Sequence, residues 1–474
     1  MRLEELLNGV EIVAKNVALT EDVTYLTSNS KDIVENCAFV CLSGTKFDGH
    51  DYIDKVVQKG AKVVITQKSV ETKPGVLFVQ VAGGRKAIAQ MACNFYRNPS
   101  KEFRLIGITG TKGKTTTSYM VKSILEAKDE KVGLIGTIES KIGDRQLKTS
   151  ENTTPAAIEL QRLFRQMADE KVDSVVMEVS SHALDLERVY GSSFAIAAFS
   201  NLSQDHMDYH KNFENYYQAK KRLFGMCDFA VINTDDEYGR RLFGEVDCKK
   251  TCFGIDNKSD MMADEMEISA SCVNFKTSLG PVNVKIPGKF SVYNALLAMC
   301  VAKEAGCKLD EIQRGFDLLT VPGRSELVKI DADFTVMVDY AHSPDSLKNI
   351  LMTVREYTKG RVICVFGCGG DRDKTKRPIM GNIAAKLADI CVVTSDNPRS
   401  ENPEEIILQI EEGMKNENKE YLKEADRANA IYNALKIAKK DDVVVIAGKG
   451  HETYQIIGNV KKHFDDREII RGIL

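Results

Sequence analysis

Gly107-Ile108-Thr109-Gly110-Thr111-Lys112-Gly113-Lys114-Thr115-Thr116-Thr117 decides how the chain is read. An apolar run, 103–108, leads into it and a helical pattern, 118–127, leads out. Strand, glycine turn, Lys-Thr and helix are the parts of a triphosphate cradle. Glycines let backbone N–H groups close on phosphate oxygens, and the helix N-terminus adds positive potential. On this reading Gly110, Thr111, Lys112, Gly113, Lys114, Thr115 and Thr116 wrap ATP, Lys114 offsets the outer phosphates, and the Thr115 hydroxyl meets Mg²⁺. Ile108 stands where the usual pattern has its first glycine, so the loop is a variant.

Outward from this loop, 474 residues give a prior of about three domains. A net charge of -3 argues against a general nucleic-acid binder. No apolar run reaches the length of a membrane span, and the acidic start of the chain lacks the apolar core of a signal peptide. Twelve cysteines are scattered without a Cys-x-x-Cys pair and read as free thiols in a reducing cytoplasm.

Residues 1–98 read as a small mixed α/β domain with short strands at 39–42 and 62–66, closed by Asn98-Pro99-Ser100. Residues 99–323 read as a central P-loop ATPase domain with a parallel sheet. Its strand candidates are 105–109, 133–138, 174–179, 195–202 and 229–233, with a small-residue helix at 291–305. Residues 324–474 repeat the alternation in a Rossmann-like domain, with strands at 335–339, 362–366, 390–394 and 443–447. Helices are expected at 344–356, 378–387, 403–414 and 427–438, three of them starting on proline. Arg372 occupies the third glycine position of Gly367-Cys368-Gly369-Gly370-Asp371-Arg372, which argues against a nicotinamide or flavin site.

Ligands of such sheets bind beyond the carboxyl ends of the strands. Two loops there carry chemistry. Glu178, in Met177-Glu178-Val179-Ser180-Ser181-His182, can reach a metal near the phosphates, and Ser200–His210 holds His206 and His210 with Asp205 and Asp208. Asn233-Thr234-Asp235-Asp236 lacks the lysine of a guanine-reading signature. Lys220, by pattern alone, is a surface-helix lysine.

Taken in order, Gly110–Thr116, Asn152-Thr153-Thr154-Pro155, Glu178–Leu184, Asn201–His210, Ala219-Lys220, Gly288–Asn294, Pro322-Gly323-Arg324-Ser325-Glu326 and Asp339-Tyr340-Ala341-His342 resemble the Mur ligases over essentially the whole chain. Asn29-Ser30-Lys31 and Asp48-Gly49-His50 resemble the branch that adds the third amino acid of the peptidoglycan stem. The resemblance implies three α/β domains that hold, in turn, the uridine end of the substrate, ATP and the incoming amino acid. It implies Ser30, Asn152, Thr153, Thr154, Ser180 and Arg188 on UDP-MurNAc-L-Ala-D-Glu, and Asn294, Arg324 and Asp339 on the adenosine. Thr115, Glu178 and His206 would be Mg²⁺ ligands, with Lys220 carbamylated by CO₂ to serve as another. Lys114, Lys220 and His206 would be the catalytic group. Asp396-Asn397-Pro398-Arg399 marks selection of meso-diaminopimelate in that family, with Arg372, Gly448 and Glu452 completing the pocket.

The implied reaction is ATP-dependent amide-bond formation through an acyl phosphate. Expected partners are small molecules only, without nucleic acid or membrane insertion, and the chain is expected to act as a cytoplasmic monomer. The alternatives are a lysine-adding ligase, the D-Ala-D-Ala-adding ligase, folylpolyglutamate synthase, and a non-catalytic ATP-dependent switch. Leu186 stands where the family commonly has Gln. Asn29 and Lys31 stand where it commonly has Asp and Arg.

Overall fold

In the computed structural model, all residues are described except 17–19, 45–46, 149–151, 416, 418–419 and 474. The chain divides into two compact units. One comprises Met1–Asp260 with Leu297–Cys307, the other Met261–Leu296 with Lys308–Leu474.

The first unit contains two sheets. The smaller runs Ile12–Lys15, Leu77–Val81, Ala61–Thr66, Cys37–Val40, Tyr25–Thr27, and only its first pairing is antiparallel. The larger runs from Lys249–Gly254 through Cys227–Asn233, Phe194–Phe199, Arg104–Thr109, Ser174–Glu178 and Val132–Ile135, all parallel, and then adds the antiparallel strands Ser140–Ile142 and Arg145–Leu147. Its central strands are apolar on both faces because helices cover both, as a parallel sheet requires. Arg104–Thr109 lies between Ser174–Glu178 and Phe194–Phe199, with Glu178 opposite Ile108 and Thr109 opposite Phe199. Three loops therefore leave one sheet edge side by side: 110–113, 179–180 and 200–206.

The second unit has a six-stranded sheet in the order Glu326–Val328, Thr335–Asp339, Val443–Ala447, Val362–Phe366, Ile390–Val393, Tyr421–Lys423, parallel after its first pairing. It also has a three-stranded antiparallel sheet over Asp264–Ile268, Val273–Thr277 and Gly280–Val284, and a hairpin, Tyr454–Ile457 with Val460–His463. The sequence reading has neither. Pro344 and Pro403 open their helices, but Lys376–Leu387 begins two residues before Pro378. A proline is tolerated anywhere in the first turn, where its missing N–H has no intrahelical partner.

Candidate active site

The glycine loop meets the helix Lys114–Ala127 at Gly113, which holds the left-handed conformation (φ 87°). Gly110 (φ 144°) is required for a second reason: a Cβ there would lie 2.0 Å from Ser200 Oγ. The loop is pinned to the neighbouring strand end. Thr111 N donates to Asn201 O (2.8 Å) and Lys112 N to Asn201 Oδ1 (3.0 Å), while Ser200 Oγ donates to Lys112 O (2.7 Å). Lys114 Nζ donates to the carbonyls of Gly110 and Thr111, both at 2.9 Å.

Beside it, the buried Glu178 carboxylate accepts from Thr115 Oγ1 (3.0 Å), Thr137 Oγ1 (3.0 Å) and Thr137 N (2.9 Å). Hydroxyl and carboxylate oxygens are hard donors suited to Mg²⁺, which takes one or two carboxylates and completes its shell with phosphate and water. Among the described residues no group of three His, Cys, Asp or Glu could hold a metal.

Lys220 corrects the surface reading. It is 1% exposed, donates to Gly110 O (2.8 Å) and sits over the Tyr216 ring. Burial drives its pKa well below the ordinary lysine value, and the nearby Lys114 ammonium pushes the same way. A helix whose outer face is polar can still bury one lysine where it crosses a loop, which residue spacing does not reveal.

His206 lies on the third of the loops at the sheet edge, 200–206. Its ring lies against His182 (centroids 4.8 Å) and 6.4 Å from Tyr216, and it makes no hydrogen bond to Thr115, Glu178 or Lys220 among the described residues. Its φ of 53° places it at a sharp turn before a short helix.

Thr154, Ser180 and Arg188 converge. Thr154 Oγ1 donates to Glu178 O (2.9 Å) and accepts from Ser180 N (3.1 Å), and Arg188 donates to Thr154 O (2.7 Å). Thr153 Oγ1 contacts Thr137 Oγ1 (3.1 Å), while Asn152 is exposed. In the loop after Tyr25–Thr27, Asn29 Oδ1 accepts from Lys31 N (3.1 Å), a bond that an aspartate could also accept. Asn233-Thr234-Asp235-Asp236 is structural. Asp235 accepts from the backbone N–H groups of Ile255, Asp256 and Asn257, and Asp236 caps the helix Glu237–Glu245.

In the second unit, Asn294 is buried on the helix Lys289–Glu304. Asp339 ends its strand buried. Its carboxylate accepts from Ser325 N (2.8 Å) and its carbonyl from Gly448 N (3.0 Å). Burial raises its pKa, against the lowering pull of Arg324. The Arg324 guanidinium lies over the Tyr340 ring, 5.1 Å from its centroid.

Asp396, Asn397 and Pro398 are buried and Arg399 is half-buried. Arg399 adopts φ 53° and donates to Gly370 O (2.8 Å). A Cβ on Gly369 would lie 3.0 Å from Arg399 Nη1 and 3.8 Å from Arg372 Cγ, so both arginines flank that glycine. Gly448 lets Asp396 approach, since a Cβ would lie 2.6 Å from its Oδ2. Asn397 Nδ2 donates to Glu452 Oε2 (2.9 Å). The sequence reading omits three buried cations of this region. Lys449 is among them, and Arg377 and Arg427 are salt-bridged to Glu401 and Asp466. Arg377 and Arg427 stand in the first turns of helices, where a cation is unfavourable beside the helix dipole; Lys449 lies in a loop and gives no such signal.

Three families match along the chain: the Mur ligase family catalytic domain at 22–96, the Mur ligase middle domain at 108–302, and the Mur ligase glutamate ligase domain at 323–450. The chain belongs to the Mur ligase family. Among its relatives, UDP-N-acetylmuramoyl-L-alanyl-D-glutamate--2,6-diaminopimelate ligase 1 of Clostridium acetobutylicum is 48% identical, over 99% of this chain and 98% of that protein. The ligase of that type from Caldanaerobacter subterraneus subsp. tengcongensis is also 48% identical, over 100% and 99%. A solved UDP-N-acetylmuramoyl-L-alanyl-D-glutamate--2,6-diaminopimelate ligase superposes with a TM-score of 0.73 at 29% identity, covering 100% of this Mur ligase and 98% of that chain. The MurF ligase of Thermotoga maritima in complex with ADP shares the fold (TM-score 0.59, 20% identity, covering 90% and 94%).

Proposed function

We propose that this Mur ligase joins meso-2,6-diaminopimelate to the D-Glu γ-carboxylate of UDP-N-acetylmuramoyl-L-Ala-D-Glu, with ATP as co-substrate, in cytoplasmic peptidoglycan precursor synthesis. Whole-chain identity to ligases of that name supports the reaction. The observation that carries the acceptor is the placing of Arg372 and Arg399 together beside Gly369, with the Asn397–Glu452 pair in the same unit. Diaminopimelate has a carboxylate and an ammonium at its far stereocentre, and lysine has only the ammonium. A guanidinium binds a carboxylate in a bidentate fork. Lysine would leave Arg399 without its anion, at a cost of about 2–5 kcal/mol.

The domains divide the work: 1–98 for the uridine end through Ser30, 99–323 for ATP, and 324–474 for the amino acid. Asn152, Thr153, Thr154, Ser180 and Arg188 hold the muramoyl dipeptide. Residues 110–116 hold the phosphates; Asn294, Arg324 and Asp339 hold the adenosine. Phosphoryl transfer brings two anions together, so catalysis is mainly positioning and charge offset. Lys114 is already aimed across the loop and offsets the γ-phosphate as the γ-carboxylate attacks. The products are ADP and an acyl phosphate. The acceptor amine then attacks that carbonyl carbon, and phosphate leaves. Closure of the site would keep water from the acyl phosphate.

Thr115 and Glu178 suit Mg²⁺, which would draw charge from the transferring phosphoryl group when bound. His206, at the turn before Met207–His210, would be a further ligand. Lys220 is poised for carbamylation because burial favours its neutral amine, the form whose nitrogen adds to the carbon of CO₂ with loss of a proton. The resulting carbamate would lie beside the Lys114 ammonium as an oxygen ligand. The enzyme works as a monomer on small molecules.

The test is a coupled ADP-release assay with UDP-N-acetylmuramoyl-L-Ala-D-Glu, ATP and Mg²⁺, comparing meso-diaminopimelate, L-lysine and L-ornithine. Turnover with diaminopimelate alone is expected. Turnover with lysine but not diaminopimelate overturns the assignment.

A further inference from the structure

Lys449 carries no role in the reading above, yet it is a fully buried cation beside the amino-acid pocket. It is 0% exposed. Its ammonium donates to Asn397 Oδ1 (3.0 Å) and to Tyr454 O (2.6 Å), and lies 3.6 Å from Glu452 Oε2. Asn397 Oδ1 accepts a second hydrogen bond from Ile456 N (3.0 Å), and its Nδ2 donates to Glu452 Oε2 (2.9 Å).

This arrangement fixes the orientation of an amide. A side-chain amide has an acceptor end and a donor end of nearly the same shape. Two donors, the Lys449 ammonium and the Ile456 N–H, require the oxygen on their side. The NH₂ end must then face Glu452. A flipped amide would set N–H against N–H and leave the Glu452 carboxylate facing the amide oxygen.

Burying an ammonium is costly unless it is paired and hydrogen-bonded. Burial does lower the pKa of Lys449, with Asp396 and Glu452 pulling it back up. The same lysine ties the pocket to the hairpin Tyr454–Ile457 with Val460–His463. That hairpin in turn holds the Arg399 backbone: Arg399 N donates to Ile456 O (3.1 Å) and Gly458 N to Arg399 O (2.7 Å). Gln455 Nε2 adds a bond to Asp396 O (2.8 Å).

We propose that Lys449 is a positioning residue for the acceptor amino acid: it orients the Asn397 amide and thereby aims Glu452 at the ammonium of the substrate's far stereocentre. The inference rests on the acceptor pocket assigned under the proposed function. Lys449 itself touches no substrate. Its loss weakens capture of the acceptor and spares the ATP-consuming half of the reaction.

The test is steady-state kinetics on full-length Lys449→Met, which keeps the length of the side chain and removes its donors. Loss of a charged hydrogen bond predicts a rise of about 10- to 100-fold in KM for meso-diaminopimelate. KM for ATP and for the UDP-linked substrate should stay near wild type. If instead all three KM values, kcat and Tm move together, the role is merely structural and the proposal fails. Glu452→Gln separates this proposal from the reading beneath it. If Glu452→Gln leaves KM for diaminopimelate unchanged, the pocket assignment itself falls. If Glu452→Gln raises that KM and Lys449→Met does not, only the proposal for Lys449 falls. Should Lys449→Met not fold, Asn397→Asp carries the test. Its carboxylate still accepts from Lys449 but cannot donate to Glu452, so the same selective rise is expected. A wild-type KM for the acceptor in that variant overturns the proposal.

Discussion

The Thr115 hydroxyl donates to the Glu178 carboxylate at 3.0 Å, joining the first turn of the helix behind the glycine loop to the end of the neighbouring strand. Thr137 donates to the same carboxylate twice, from its hydroxyl and its backbone N–H. A glutamine could not accept from all three donors in the same way, and it would remove the carboxylate charge. Glu178→Gln is expected to lower kcat by about 10²- to 10³-fold, the range for losing one electrostatic contact to a transition state. ADP release at saturating substrates measures it; a change below threefold would remove Glu178 from the reaction.

Gly110 tests the backbone. An alanine there would adopt φ 144° and place its Cβ 2.0 Å from Ser200 Oγ. Gly110→Ala should cost about 1–3 kcal/mol in urea unfolding, the scale of strained backbone positions, and weaken ATP binding. Gly143 also has positive φ (56°) but nothing within 4 Å, so Gly143→Ala should cost about 1 kcal/mol or less. Equal costs would mean that the steric contact at Gly110 is unimportant.

Arg399 should separate the two halves of the reaction. Arg399→Ala is expected to raise KM for meso-diaminopimelate by the equivalent of about 2–5 kcal/mol and to narrow its preference over lysine. Acyl-phosphate formation, read by hydroxylamine trapping without acceptor, should persist. Equal loss of both steps would refute an acceptor-specific role.

Arg427 and Asp466 are both 0% exposed and joined at 2.8 Å through two nitrogen–oxygen pairs. Arg427→Met leaves the Asp466 carboxylate buried without its cation, at an expected cost of about 3–5 kcal/mol by urea unfolding. Arg427→Met with Asp466→Leu should recover most of that loss, because the uncompensated charge is gone. Failure of the double variant to recover would show that the pair's hydrogen bonds, not the stranded charge, set the cost.

Acid stability should report on Glu401. Its hydrogen bond with Arg377, then that from the Asp371 backbone N–H, lowers its pKa to about 2. A carboxylate depressed in the folded state stabilises above its unfolded pKa, about 4.5, and the contribution drains away as pH falls toward about 2. The urea midpoint should fall over that window. Glu401→Gln should be less stable at pH 7 and flatter below 4.5, and an unchanged acid slope would contradict the assignment.

The phosphate loop was legible because its signal is local: glycines, a lysine and a hydroxyl follow one another on the strand-to-helix turn that uses them. The parallel strands were legible because they are buried on both faces and read as apolar runs. The strand Asp264–Ile268 was not, because four of its five residues are exposed and its alternation is short, with only Met266 and Ile268 apolar. Likewise Val460–His463 is exposed throughout. Lys220 and Lys449 look like solvent-facing lysines in one dimension. Their burial comes from segments far away in sequence: Gly110 for Lys220, and Asn397 for Lys449. Asp396-Asn397-Pro398-Arg399 was meaningful only through the family, because a turn with a solvent-facing arginine has the same composition.

Asp339 presents its carboxylate to the turn after Arg324 and its carbonyl to Gly448. One amino acid thus borders both the proposed adenosine contacts and the proposed acceptor contacts, separated only by its own main chain. The two proposed sets of contacts therefore hang on a single strand end.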